Sequence, residues 1–190
     1  MLTAAAQSDR IVVINPHLLE RFLGLLIMKN SKVLTIVYCG LFAALVVIAT
    51  AVLKVPTAIG FVNLGDGVIF ASAAVLGPLA AAVGGVGSAI ADILAGYAVY
   101  APATLVIKAL MGFLAAKLIA DAGRFSLRSV LVYGLAEIVM IAGYFAFESF
   151  VYGVAAAAGS LVPNVIQGGF GIVVGFVLAP LSKRIFVPQK

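Results

Sequence analysis

Apolar residues follow one another almost without interruption from residue 33 to residue 182, and short polar or glycine-proline breaks divide this stretch. A proline is favoured in the first turn of a helix and disfavours helix at the residue before it, so the prolines mark helix boundaries. A transmembrane helix needs about 20 consecutive apolar residues. These rules predict six membrane-spanning helices, at residues 33–53, 64–77, 79–96, 102–120, 129–151 and 161–182.

The break at Leu76-Gly77-Pro78 decides the number of spans. Residues 64–96 form either one overlong helix or two short helices that turn at this proline, and the chemistry of proline favours two. With six spans and a cytoplasmic N-terminus, ten of the twelve basic residues lie on the cytoplasmic side. With five spans, Lys183 and Arg184 would lie on the other side of the membrane from the basic residues of the N-terminal segment. The positive-inside rule therefore also favours six spans.

The composition supports a membrane protein. Apolar residues make up 64% of the 190 positions and charged residues 10%, whereas a soluble domain has about 45–50% and 25%. The 20 glycines and numerous alanines suit close helix packing in lipid. We therefore predict an all-α, polytopic protein with six transmembrane helices and both termini in the cytoplasm. The topology accounts for the net charge of +5, so no nucleic-acid partner is predicted.

Several kinds of chemistry are excluded by composition. One cysteine (Cys39) makes no internal disulfide and no cysteine metal site, and one histidine (His17) leaves no zinc cluster and no serine–histidine hydrolase. The glycine-rich segment at residues 84–88 lacks the lysine of a phosphate-binding loop. We expect no metal and no cofactor in this chain, and no binding of ATP.

The chain divides into three parts. Residues 1–32 are more polar and are predicted to be a cytoplasmic or interfacial segment, in which residues 18–28 have the pattern of an amphipathic helix. Because residues 28–32 read like a natural start before a span, the first 27 residues are candidates for a dispensable extension. Residues 33–183 form the membrane domain, and residues 184–190 form a cytoplasmic tail.

Polar side chains within the spans cost free energy to place in the hydrocarbon core and are therefore candidates for function. On the predicted topology they gather at the outer ends of the helices, while the inner halves hold far fewer. This asymmetry predicts a pocket that opens to the outside and is closed toward the cytoplasm. The candidate substrate-binding residues are Asn63, Asp66, Asp92, Tyr97, Tyr100, Lys108, Tyr144, Glu148, Asn164 and Gln167.

Structural alternatives exist for the charged candidates. Lys108 either contacts ligand or pairs with Asp92, Asp66 or Glu148 to neutralise a buried charge. Asp66 either faces the pocket or caps the second span, since aspartate is a preferred N-cap residue. Glu148 lies in an apolar stretch one turn after a tyrosine, and a binding role is favoured for it.

Alternatives also remain for the uncharged candidates. Asn164 and Gln167 share one helix face and either bind ligand or join neighbouring helices by hydrogen bonds. Tyr97 and Tyr100 either line the pocket or belong to the aromatic belt at the membrane interface. Glu137 lies deeper and alone, and a structural role is favoured for it.

Four segments resemble one membrane-protein family, over residues 28–183. They are NLGD (63–66), LGPLAA (76–81), SAIADILAGYAVYAPATLVIK (88–108) and VPNVIQG (162–168). In these segments the chain resembles the substrate-binding S components of energy-coupling factor (ECF) vitamin transporters. The resemblance is to the branch that includes hydroxymethylpyrimidine-, pyridoxine- and riboflavin-type members.

This resemblance implies a vitamin-capture subunit in a prokaryotic plasma membrane. Its partners would be a coupling membrane subunit and two cytoplasmic ATP-binding cassette ATPases, which bind the ATP. The family docks through small residues on the first span, and these positions correspond to Gly40 and Ala44; the family usually has alanine where Gly40 stands. The family pocket, carried over to this chain, comprises Asn63, Lys108, Tyr144, Glu148, Asn164 and Gln167.

Hydroxymethylpyrimidine and pyridoxine are the favoured ligands, and riboflavin is the alternative. The absence of tryptophan counts against thiamine. A second functional class is an integral membrane enzyme that uses Glu148 and Asp92 as acid and base, but no nucleophile–base pair or metal set supports it. A channel or packing scaffold is disfavoured because the polar residues cluster at one end.

Overall fold

The computed structural model describes residues 31–57, 61–118 and 125–187. The chain separates into two compact units, residues 1–36 and 37–190. Of the first unit only residues 31–36 are described, and they are the helical start of α1 (Ser31–Ala51). The predictions for residues 1–30, including the amphipathic helix at 18–28, lie outside the described residues. Everything that follows concerns the second unit.

The second unit is mostly helical, as predicted. After α1, two short strands, β1 (Lys54–Pro56) and β2 (Phe61–Asn63), form an antiparallel pair in which Lys54 faces Asn63. The remaining helices are α2 (Gly65–Leu76), α3 (Ala80–Leu94), α4 (Ala101–Leu118), α5 (Leu127–Tyr152) and α6 (Val154–Phe186).

The predicted break between α2 and α3 is present. A single 3₁₀ turn, Gly77–Leu79, separates the two helices, with Pro78 in it. A Cβ atom placed on Gly84 would lie 3.1 Å from two carbons of the Ile69 side chain. In one continuous helix these residues, 15 apart, would be separated by about 22 Å. The chain therefore folds back at the break, and α3 lies beside α2.

Five helical stretches of the described chain are long and apolar enough to cross a membrane. One of them, Gly65–Leu94, contains the fold-back, so its two halves have only 12 and 15 residues. The apolar helices of the described residues are therefore those of a multi-pass membrane protein. The count of six full crossings and the cytoplasmic position of both termini stay predictions.

Two predicted boundaries differ from the structure. The connection predicted at residues 152–160 is wrong, because α6 already begins at Val154, directly after Gly153. Gly153 has φ 89°, a conformation that favours glycine, and it allows a turn of a single residue between α5 and α6. Pro163 accordingly lies inside α6 and not in its first turn. The prediction of an all-α fold also missed the strand pair at residues 54–63.

Two apolar clusters hold the helices of this unit together. In the first, the rings of Phe70 (α2) and Tyr133 (α5) stack with centroids 4.1 Å apart, among buried Met111 and Met140. The second joins Phe42 and other residues of α1 to α2 and α3. Small residues let the backbones approach: a Cβ on Gly85 would lie 2.6 Å from a backbone oxygen of α4. The cores fix the helix ends that carry the polar residues.

Candidate functional site

A pocket lies where α3 and α5 end and α4 and α6 begin. The space inside it, including the part open to solvent, is about 490 Å³. Eight of the ten predicted residues line it: Asn63, Asp92, Tyr97, Tyr100, Tyr144, Glu148, Asn164 and Gln167. Five lining residues were not predicted: Thr57, Phe61, Thr104, Ser160 and Pro163.

The turn between α3 and α4 positions two of the tyrosines. Gly96 has φ 87°, which lets the chain leave α3 sharply, and the Tyr97 N–H donates to the carbonyl of Asp92 at 2.8 Å. The Tyr97 ring packs on Phe61 of β2, with centroids 5.0 Å apart, and on Tyr100 at 6.3 Å. These rings form one wall of the pocket, and the aromatic-belt alternative stays a prediction.

Glu148 is held by hydrogen bonds from both sides. The Tyr100 hydroxyl donates to its Oε1 at 3.2 Å, and the Ser160 hydroxyl donates to its Oε2. Burial, followed by the neighbouring Glu148 carboxylate, raises the pKa of Tyr100 above its ordinary value, so the phenol keeps its proton and remains a donor. Glu148 thereby joins the α3–α4 turn to the first turns of α6.

Lys108 does not line the pocket but lies behind it in an ion pair with Asp66. The lysine is 2% exposed and the aspartate 0%, and the ammonium lies 5.6 Å from the centroid of the Tyr144 ring. Of the partners considered for Lys108, the structure selects Asp66. The predicted pairing of Lys108 is therefore present, and its alternative role as a ligand contact stays a prediction.

The capping interpretation of Asp66 is wrong. The N-cap residue of α2 is Leu64, with no side-chain cap, and the Gly65 N–H donates instead to Asn63 Oδ1 at 2.9 Å. Asp66 lies one residue further into the first turn, where its Oδ2 accepts from Gln167 Nε2 at 2.8 Å. The amide that satisfies the helix start comes from the strand before it, because β2 brings Asn63 close to that end.

Gln167 ties the strand pair to the helices. Its Oε1 accepts from both the backbone N–H and the Nδ2 of Asn63, each at 3.1 Å, while its Nε2 donates to Asp66. Gln167 therefore joins α6 to β2 and α2, as one alternative predicts, and its role as a ligand contact stays a prediction. For Asn164, one turn earlier on α6, the buried Nδ2 has no hydrogen-bond partner.

Glu137 is a buried polar residue of α5. It is 3% exposed, neither carboxyl oxygen has a hydrogen-bond partner, and its side chain packs against Gly168 and Gly171 of α6. It does not line the pocket. Its favoured structural role stays a prediction.

Helical spacing was a usable signal for two of the missed residues. Thr104 lies four residues after Tyr100 and four before Lys108, and its hydroxyl is 3.0 Å from that of Tyr144. Ser160 lies four residues before Asn164 on the same face of α6. Small hydroxyl side chains are common in membrane helices as packing residues, so their residue type alone does not mark these two as site residues.

Comparison with known proteins identifies the chain's relatives. A family model described as ECF-type riboflavin transporter, S component, matches residues 30–184. An uncharacterized protein in the gap 3′ region of Pyrococcus woesei is 34% identical over 140 residues, which are 72% of this chain and 91% of that protein. The stretch matched by the family model contains every lining residue of the pocket.

Proposed function

Because the chain belongs to the family of ECF-type riboflavin transporter S components, we propose that it captures a vitamin in a prokaryotic plasma membrane and delivers it to an ECF importer. The observation that carries the proposal is the pocket, which has aromatic and hydrogen-bonding walls at one end of membrane-capable helices. We propose that this end faces the outside. A vitamin could then enter the pocket from the side where it is scarce.

The proposed ligand is a small planar heterocycle. Tyr97, Tyr100 and Tyr144 supply faces for ring packing, and carboxyl and amide groups supply hydrogen bonds. We favour hydroxymethylpyrimidine or pyridoxine, which carry hydroxymethyl groups together with amino or phenolic groups. Riboflavin is the second candidate, and the description of the matching family favours it.

The energy for transport is proposed to come from partner subunits. Members of this family associate with an ECF coupling subunit and ATPases, and the glycine-rich residues 84–88 lie inside helix α3, where they pack against other helices. We propose that α1 docks on the coupling subunit through Gly40 and Ala44. Both are exposed, and a Cβ atom on Gly40 would have no neighbour within 4 Å.

The test is direct measurement of what the full chain binds. The protein, purified in mild detergent, is analysed by mass spectrometry for retained small molecules and titrated by calorimetry with hydroxymethylpyrimidine, pyridoxine and riboflavin. One of the three is expected to bind tightly, and co-expression with a coupling subunit and ATPases is expected to give uptake of that compound. Absence of binding by all three would refute the proposal.

The enzyme alternative predicts a different result. If Asp92 and Glu148 acted as acid and base, a compound incubated with the protein would be converted. A capture subunit instead returns it with its mass unchanged. In addition, both Glu148 oxygens already accept hydrogen bonds, from Tyr100 and Ser160, an arrangement typical of a structural carboxylate. Recovery of a chemically altered vitamin would favour the enzyme.

A further inference from the structure

Most polar groups of the pocket wall are already used inside the protein. Glu148 accepts from Tyr100 and Ser160, and Gln167 is bonded at both ends of its amide, to Asn63 and to Asp66. These groups hold the walls in place. Such internally satisfied groups gain little from a ligand, since a new hydrogen bond would have to replace an existing one.

Two polar atoms of the described lining differ from the rest. Asp92 Oδ2 on α3 and Asn164 Nδ2 on α6 are both buried, and neither has a hydrogen-bond partner. One is an acceptor and the other a donor. A buried polar atom without a partner is costly, and an exception of this kind in a pocket calls for an explanation. A ligand that satisfies both atoms provides one.

The charged residues of the pocket wall restrict the class of ligand further. Asp92 and Glu148 are the charged residues of the described lining, which contains no lysine, arginine or histidine. Lys108, behind the wall, is already paired with Asp66. The ammonium of Lys54, on β1, lies 5.4 Å from the centroid of the Phe61 ring at the strand-pair side of the pocket. A ligand carboxylate or phosphate placed beside Asp92 would therefore meet the two acidic groups of the described lining, at a cost in desolvation and repulsion.

We propose that Asp92 and Asn164 are the specificity-determining residues of the pocket. Asp92 accepts a hydrogen bond from an N–H of the ligand, and Asn164 donates one to a ligand acceptor. The ligand class is an uncharged or cationic heterocycle that carries both an amino or imino donor and an acceptor, as the aminopyrimidine ring does. This inference rests on the proposed function, since it assigns the ligand chemistry of the same pocket.

The first experiment removes the donor from the ligand. The full chain in detergent is titrated with 4-amino-5-hydroxymethyl-2-methylpyrimidine and with its analogue that lacks the amino group. Loss of a hydrogen bond to a charged group is expected to weaken binding roughly ten- to a hundredfold. Where riboflavin is the vitamin that binds, N3-methylriboflavin replaces the deaminated analogue, because the methyl group blocks the N–H.

The second experiment weakens the acceptor on the protein. Asp92→Asn replaces a charged acceptor by a neutral amide oxygen, so it is expected to lose part of its preference for the parent compound over the analogue, and the losses from the two changes are not additive. Asn164→Ala is expected to weaken binding of the parent compound roughly tenfold or more. Glu137→Gln is the matched control, because it makes the same carboxyl-to-amide change at a buried residue outside the lining and is expected to retain wild-type binding.

The outcomes separate this inference from the proposed function. A vitamin that binds equally well with and without its N–H donor, or binding of pyridoxine alone, which carries no amino group, overturns the inference and leaves vitamin capture intact. So does tight binding of the monophosphate of that vitamin, or an Asp92→Asn variant that binds both compounds as the wild type does. Failure of all three vitamins to bind the wild type overturns both. The assignment of Asp92 is supported if the losses from the ligand change and from Asp92→Asn are not additive and Glu137→Gln binds as the wild type does.

Discussion

The buried ion pair behind the pocket gives the sharpest stability prediction. Replacing Lys108 by methionine keeps much of the side-chain volume but leaves the Asp66 carboxylate, which is 0% exposed, without its counter-charge. Asp66 would retain only the hydrogen bond from Gln167. Removing one partner of a buried pair costs about 3–5 kcal/mol, since an uncompensated charge remains in a medium of low dielectric constant.

The expected shift in melting temperature follows from that free energy. For a chain of this size, 1 kcal/mol corresponds to about 2–4 °C, so Lys108→Met is expected to lower the melting temperature by about 6–20 °C. The measurement is loss of helical circular dichroism on heating in detergent, with size-exclusion chromatography to follow aggregation. Asp66→Asn, which leaves the ammonium unpaired instead, is expected to lower it comparably.

The double variant provides the refutation. Lys108→Met combined with Asp66→Asn removes both charges, and the new amide can still accept from Gln167, so the double variant is expected to be more stable than Lys108→Met alone. Two destabilisations that simply add would show that the two charges do not depend on each other. A Lys108→Met variant that melts like the wild type would show that the pair contributes nothing to folding.

Two further predictions concern topology and docking. Cysteines introduced at Thr57 and Ser126, in a Cys39→Ala background, are expected to react with an impermeant reagent from opposite sides of the membrane, and labelling from one side would contradict the six-span topology. Gly40→Leu combined with Ala44→Leu is expected to bind vitamin normally in detergent but to lose co-purification with the coupling subunit and uptake, because bulky side chains hold a partner helix away; intact uptake, or lost vitamin binding, would place the docking face elsewhere.

Local rules predicted the helices well where the chain's own chemistry decides the conformation. The break at Pro78 and the start of α4 beside Pro102 follow from the fixed geometry of proline and its missing N–H. The same rule failed at Pro163, where α6 continues through the proline. A helix can lose one backbone hydrogen bond when its neighbours hold it, and that support is tertiary.

The strand pair was beyond local rules for a similar reason. Each strand has three residues, and Pro56 is an unusual strand residue. What places β2 is the pair of hydrogen bonds from Asn63 to Gln167, which is 104 positions later in the chain. No periodicity in the sequence reports a contact of that kind.

For the site, the sequence indicated which residues gather but not what each one does. The i, i+4 spacing of Tyr144 and Glu148 correctly placed both on the pocket wall. That Glu148 is saturated by Tyr100 and Ser160, while Asp92 keeps a free oxygen, depends on side chains from different helices. Burial and partner geometry had to be seen before ligand contacts could be separated from structural ones.

The fold-back between α2 and α3 has a consequence for the surrounding lipid. At 1.5 Å per residue, helices of 12 and 15 residues rise about 18 and 22 Å, against a hydrocarbon thickness of about 30 Å. The 26-residue α5 and the 33-residue α6 rise about 39 and 50 Å. The bilayer must therefore thin, or let water and headgroups descend to the turn, beside Gly77–Leu79, while it accommodates long helices elsewhere. This unequal mismatch favours a particular tilt of the protein. A change in bilayer thickness is expected to affect the turn between α2 and α3 before the rest of the molecule.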